Sequence, residues 1–336
     1  MSTKNKAILV LILLAPITAE VMSGSTPVLS FIKPTTFIMM ICSYGLGALL
    51  IRDLAAKWQL QWSLFFLGCA LGIVIEGVEV QSFFNPNWED LNKLSNYAVW
   101  LGVQWVWTIK LITFHAFFSV ILPITLVNKF WPEIASKELL TPRIRRVVFL
   151  IFVTIVSAIS YFFFKMLASA GYQNYTPSLT RIVASLAVAL LFVYIGYRLR
   201  NSRIGSSEVL LWKPFKIGFM AFLLMFIFLL IDLVSGGNTP VIIPLGVLFA
   251  AFYGTYWLFD HQIYHPDSDN RHLSVTIAWV MGFWLFNTVF SEFNIIPNAD
   301  STQGMLLTGL IFIIIFVFWY KRVARINKRE VINNCD

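Results

Sequence analysis

Residues 71–86 read LGIVIEGVEVQSFFNP. Two glutamates, Glu76 and Glu79, stand one helical turn apart in an otherwise apolar run, and the i, i+3 spacing places both on one face of a helix. Gly68 and Gly72 lie upstream on that face, a small-xxx-small pair that lets a second helix backbone approach closely. In a bilayer an ionisable side chain costs at least ~2.5–3.5 kcal/mol. The two carboxylates are therefore expected to face the inside of a helix bundle.

The composition says what surrounds that bundle. Of 336 residues, 58% are hydrophobic and 12% charged, with a mean hydropathy of +0.75. A soluble domain carries about 25% charged residues, so the chain requires lipid as solvent. The fold class expected is all-α, a polytopic membrane helix bundle of about ten transmembrane helices. The segments fall at roughly 7–23, 36–52, 62–84, 99–127, 146–169, 180–199, 215–235, 240–261, 273–296 and 303–320, each near or above the ~20 residues that cross the hydrocarbon. With the N-terminus in the cytoplasm, 20 of the 25 Lys and Arg fall on inner segments and 3 (Lys33, Lys93, Arg181) on outer ones. This is the positive-inside bias, and it puts both termini in the cytoplasm. The net charge of +8 then follows from topology, with anionic lipid as its partner and no nucleic acid. Lys4 and Lys6 before AILVLILLAPITAE resemble a signal peptide with Ala19 as cleavage position, but Pro16 and Glu20 make a poor site. A first transmembrane helix is the reading kept. The organisation expected is 1–128 (helices 1–4 with the polar site), 129–146 (a cytoplasmic loop and candidate hinge), 147–320 (helices 5–10) and 321–336 (a basic tail). Cys42, Cys69 and Cys335 imply no disulfide framework.

Polar residues gather in the first four segments. Pro16 frees a backbone carbonyl one turn back, and Glu20 follows four residues later. In the fourth segment Gln104, Thr108, His115 and Ser119 recur at intervals of 4, 7 and 4, a stripe at helical period. Gln81, Ser82 and the turn signal Asn85-Pro86 end the third. Arg52 and Asp53 mark the inner interface, while Lys110, Lys165, Asp232 and Glu292, with Asn287 and Ser291 near the last, fall in outer halves. Two carboxylates held close in low dielectric can divide the roles of acid and base, which serves water activation or proton coupling alike. Glu76, Glu79 and His115, with Glu20, form a set that suits Zn, Mn or Fe. No HExxH or second His accompanies them, so no metal and no cofactor are assigned. His261, His265 and His272 lie in a stretch that reads as a solvated loop.

The stretches YGLGALLIRDLAAKW (44–58), IEGVEVQSFFNPNW (75–88) and HAFFSVILPITLVN (115–128) resemble a family of uncharacterised bacterial multi-span membrane proteins. That family reads roughly EEG-x-x-x-Q-S-x-F-N-P and then H-A-x-x-S-x-x-x-P-I. The resemblance covers about residues 15–130 and implies no activity. A fainter similarity is to the CAAX-type glutamic intramembrane proteases, which activate water with paired glutamates, a following Arg and His on a neighbouring helix. Here the pair reads Ile75-Glu76, no Arg follows on that helix, and the fourth residue after His115 is Ser119.

These readings converge on an outward-facing site in the plasma membrane of a bacterium or archaeon. Glu76, Glu79 and His115 are its expected working groups, supported by Glu20, Gln81, Asn85, Gln104, Thr108 and Ser119. Proton- or cation-coupled transport of an unidentified small solute is the function expected first. An intramembrane hydrolase acting on a membrane-embedded substrate, or a structural or assembly protein, are the alternatives, so enzymatic activity stays undecided.

Overall fold

The computed structural model describes residues 1–169, 175, 178–202, 211–229, 231–263, 271–283, 288–289, 292–293 and 301–333. The described chain is helical almost throughout. The helices are α1 (Thr3–Pro16), α2 (Pro34–Trp58), α3 (Leu64–Ile73), α4 (Trp105–Phe130), α5 (Pro142–Ser169), α6 (Leu179–Arg198), α7 (Pro214–Leu229), α8 (Ile242–Leu258), α9 (Arg271–Phe283) and α10 (Met305–Asn333). Among the described residues, five helical stretches are long and apolar enough to cross a membrane: Pro34–Trp58, Trp105–Phe130, Pro142–Met166, Leu179–Arg198 and Met305–Arg322. Prolines open α2, α5 and α7, where the missing N–H is no loss and the fixed φ suits a first turn.

Burial separates a centre from a periphery. In the most apolar window of α4, 78% of the residues are buried, against 11% for α5 and 17% for α6 and α10. Helix α4 is thus the axial element, and the latter three present Val, Leu, Ile and Phe outward, as lipid requires. Helix α3 packs on α6 and on the middle of α4. A Cβ placed on Gly68 would stand 2.7 Å from the Cα of Ala116, and one on Gly72 would stand 2.9 Å from the Cβ of His115. The small-xxx-small pair therefore brings α3 against the histidine helix itself.

One sequence expectation is corrected here. The fourth segment does not begin at residue 99. Val99–Trp100 and Val103–Gln104 form a two-stranded hairpin, β1 and β2, and the helix starts at Trp105. Leu101 and Gly102 form its turn with φ of 54° and 72°, the pair of positive values that a two-residue hairpin favours. Gln104 is consequently not on the helical stripe. Arg52 and Asp53, expected to mark the inner interface, are covered by the protein itself, at 1% and 0% exposed. Arg52 donates to the carbonyls of Ile134 and Lys137, and Asp53 accepts from the backbone N–H of Leu139 (2.6 Å) and Leu140 (2.9 Å) and from Arg145. The loop expected to hinge is tied to the end of α2 by these bonds.

A leucine at Gly68 would have to push into backbone. We expect Gly68→Leu to lower stability by about 1–3 kcal/mol or more, read as a fall in thermal midpoint and in monodisperse yield in detergent. Gly246→Leu, where an added Cβ meets nothing within 4 Å, serves as the matched control and should behave as wild type.

Candidate functional site

The helices that carry the polar residues share one departure from α-geometry. Ile17–Val21, Ile41–Gly45, Val74–Glu79 and His115–Ile121 are π-helical. These stretches hold Glu20, Ser43 with Tyr44, Glu76 with Glu79, and His115 with Ser119. Such wide turns are rare, and they concentrate at functional sites. Local causes can be read for two of them. Pro16 has no N–H to give Ile12, and the backbone of Gly45 lies against that freed carbonyl, at 2.5 Å from where a Cβ on Gly45 would be. In α3's π-turn, the hydroxyl of Ser160 on α5 donates to the carbonyl of Val78 at 2.7 Å. Gly77 lets α6 approach, with Ser185 Oγ 2.7 Å from an added Cβ.

The side chains meet around a cavity of about 330 Å³. Glu76 is held at both oxygens: Oε1 lies 2.9 Å from His115 Nε2, and Oε2 accepts from Ser82, whose oxygen in turn accepts from Trp107 Nε1 at 3.2 Å. His115 Nδ1 lies 2.8 Å from Ser119 Oγ. A carboxylate only accepts, so Glu76 calls for the tautomer with Nε2–H; Nδ1 is then the acceptor and the Ser119 hydroxyl, able to serve either way, donates to it. Glu20 is also held at both oxygens, accepting from Tyr44 and, at 2.7 Å, from Thr26. Glu79 differs. Ser43 donates to its Oε1, while Oε2 is buried with no hydrogen-bond partner among the described residues. The Tyr44 ring stands 5.5 Å from the imidazole.

Asn85 and Asp90 complete the acidic and polar side of the cavity; Met39, Met40, Phe163 and Met166 form an apolar side between α2 and α5. No lysine or arginine is among the lining residues. Asp90 sits on the short 3-10 helix Glu89–Leu94 above the cavity. Burial, and then the negative charge of Glu20 and Glu76, raise its carboxyl to about 7. No three of the described His, Cys, Asp and Glu are grouped as metal ligands.

Of the expected set, Glu20, Glu76, Glu79, Asn85 and His115 face the cavity, and Ser119 stands behind the imidazole. The others are elsewhere. Gln81 accepts from Tyr175 at 2.7 Å. Gln104 clamps the loop between α3 and α4, donating to Asn85 O at 3.0 Å and accepting from Asn96 N at 3.2 Å. Thr108 is buried and is not among the residues that line the cavity. Glu292 accepts from Leu306 N at the start of α10 (3.2 Å), and Lys110 lies 5.2 Å over the Trp107 ring. The side chains of Asp232 and His272, and residues His265, Asn287, Ser291 and Cys335, lie outside the described residues. Sequence reading missed Ser43, Tyr44, Trp107 and Asp90. The usable signal was Tyr44, a phenol deep in an apolar segment that needs a hydrogen-bond partner.

Residues 9–328 match the profile of an uncharacterized membrane protein family. The chain belongs to that family. The match takes in nearly the whole bundle, well past the residue 15–130 region in which the motifs were read. No curated protein and no solved structure matches the chain.

The raised Asp90 carboxyl sets a pH dependence. Folding favours its protonated form, so its contribution to stability is full below the unfolded value of 3.8 and is lost as pH rises through about 7. Wild type should therefore lose thermal stability between pH 5 and pH 8, and Asp90→Asn should flatten that slope. An unchanged slope in the variant would show that Asp90 does not titrate in this range.

Proposed function

We propose that the cavity is the water-activating site of an intramembrane hydrolase acting on a membrane-resident substrate. The observation that carries this reading is Glu79, which lines a chamber that also holds the Glu76–His115 pair and whose buried Oε2 has no hydrogen-bond partner among the described residues. An unpaired buried polar atom costs about 1–3 kcal/mol, more if charged, and a bound water or substrate group removes that cost. Glu79 takes a proton from water, the oxygen attacks the substrate carbonyl, and the Glu76–His115 pair returns a proton to the leaving group. Glu79 then passes its proton back to the pair. Serines on both sides of that pair keep its geometry fixed between turnovers.

Two further observations favour chemistry over passage. All lining residues lie between Ala19 and Met166, on the π-turns that follow α1 and α3, on α2, α4 and α5, and in the loops between them, so the chamber belongs to one packed unit. A transporter site commonly sits between two halves that move. The thioethers of Met39, Met40 and Met166 and the ring of Phe163 offer an entrance from lipid, and Met166 is 37% exposed. The same reading has about ten crossing segments, both termini in the cytoplasm and a plasma-membrane location, on the strength of the Lys and Arg distribution. Proton- or cation-coupled transport is the second reading. It is favoured by a cavity lined by four carboxylates and no lysine or arginine.

The test uses purified protein in liposomes with two readouts: turnover of fluorogenic acyl-lipids and quenched transmembrane peptides, and flux of protons by an entrapped pH dye. We expect turnover that falls at least about 100-fold in Glu79→Gln with unchanged thermal midpoint. No turnover, together with proton flux abolished by Glu79→Gln, would replace hydrolysis with transport. Neither activity, or both unaffected by the substitution, would overturn the site.

A further inference from the structure

A second concavity lies at the opposite end of the bundle, remote in sequence from the acidic cavity. It is a groove of about 560 Å³ whose floor is the end of α4, Phe130 and Trp131, and whose walls are Leu9 and Val10 of α1 and Ile315 and Phe318 of α10. Its lining is apolar except for two basic residues, Lys6 and Arg322. Both are exposed, and neither has a carboxylate partner among the described residues. The Arg322 guanidinium lies 4.6 Å over the Phe130 ring, which meets Trp319 edge-on at 5.0 Å.

We propose that this groove is a binding site for one anionic phospholipid. The apolar walls take an acyl chain, and Lys6 and Arg322 take the phosphate and the headgroup charge. The charge pattern selects this occupant. Two cations with no carboxylate partner among the described residues, beside an apolar trough, match an anion carried on a hydrocarbon tail, whereas an apolar helix would supply neither with a counterion. From Ile315 to Arg322 the helix rises about 10 Å, the upper part of one chain below its headgroup. Two tryptophans in the lining suit headgroup depth. The site is independent of the acidic cavity and of any activity assigned to it.

The test titrates delipidated full-length protein in neutral detergent with dioleoyl-phosphatidylglycerol or dioleoyl-phosphatidylcholine, counting bound lipid by native mass spectrometry and following the thermal midpoint. Each basic side chain near an anionic headgroup is expected to contribute about fivefold in affinity, roughly 25-fold for the pair. Phosphatidylglycerol should therefore bind with an apparent Kd roughly 25-fold below that of phosphatidylcholine, and Lys6→Gln/Arg322→Gln should erase the difference. Lys33→Gln, at the other end of the chain's first helical pair, should preserve it. Equal retention of the two lipids by wild type overturns the proposal, as does unchanged selectivity in the double variant. Were the double variant not to fold, the wild-type comparison and Lys6→Gln alone, with an expected fivefold loss, decide the matter.

Discussion

The structure depends on keeping acidic side chains inside a bundle whose cavity lining offers them one imidazole and no lysine or arginine. Glu20, Glu76 and Glu79 are 8%, 7% and 2% exposed. Five of their six oxygens are held by hydroxyls and an imidazole, from Tyr44, Thr26, Ser43, Ser82 and His115. Hydroxyl donors satisfy a buried carboxylate without contributing charge. Much else follows from supplying those donors at the right height. Four π-helical turns aim them, two glycines bring α3 against α4, and a third admits α6 behind the glutamate turn.

The opposite end of the first four helices is built the other way. Arg52 is fully buried and spends its guanidinium on backbone carbonyls, while Asp53 gathers backbone N–H groups and Arg145. Here complementary charge holds a loop in place, and bonds to the chain's own backbone fill the remaining capacity. In the acidic cavity Glu79 Oε2 has no hydrogen-bond partner among the described residues, whereas both carboxylate oxygens of Asp53 in the basic latch are bonded. That contrast separates a place where something can happen from a place that only fixes the fold.

What the sequence made legible was the inventory and its rough height. Glu76 and Glu79 inside an apolar run had to point inward, and Gly68 with Gly72 announced a close neighbour. That this neighbour is the His115 helix was not legible, because a small-residue pair says how near a helix comes and not which one. The π-turns were invisible for a related reason: one inserted residue shifts the register of a helix without altering its composition. Gln104 was placed on a stripe because its spacing fits a helix, yet Leu101-Gly102 turns the chain into a hairpin. Leu-Gly is not the Asn-Gly or Asp-Gly that would have flagged such a turn. Arg52 and Asp53 look interfacial in any hydropathy reading, since only the fold reveals that residues 134–145 come back to cover them.

The account rests on the bond between Glu76 and the imidazole of the next helix. The direct measurement is the pair of ¹⁵N resonances of His115 in the protein in lipid, compared with those of Glu76→Gln. The structure predicts a single tautomer with hydrogen bonds at both nitrogens, protonated at Nε2, and a displaced Nε2 signal in the variant while His261 stays put. A His115 spectrum that is tautomerically mixed in the wild type and indifferent to Glu76→Gln would contradict it.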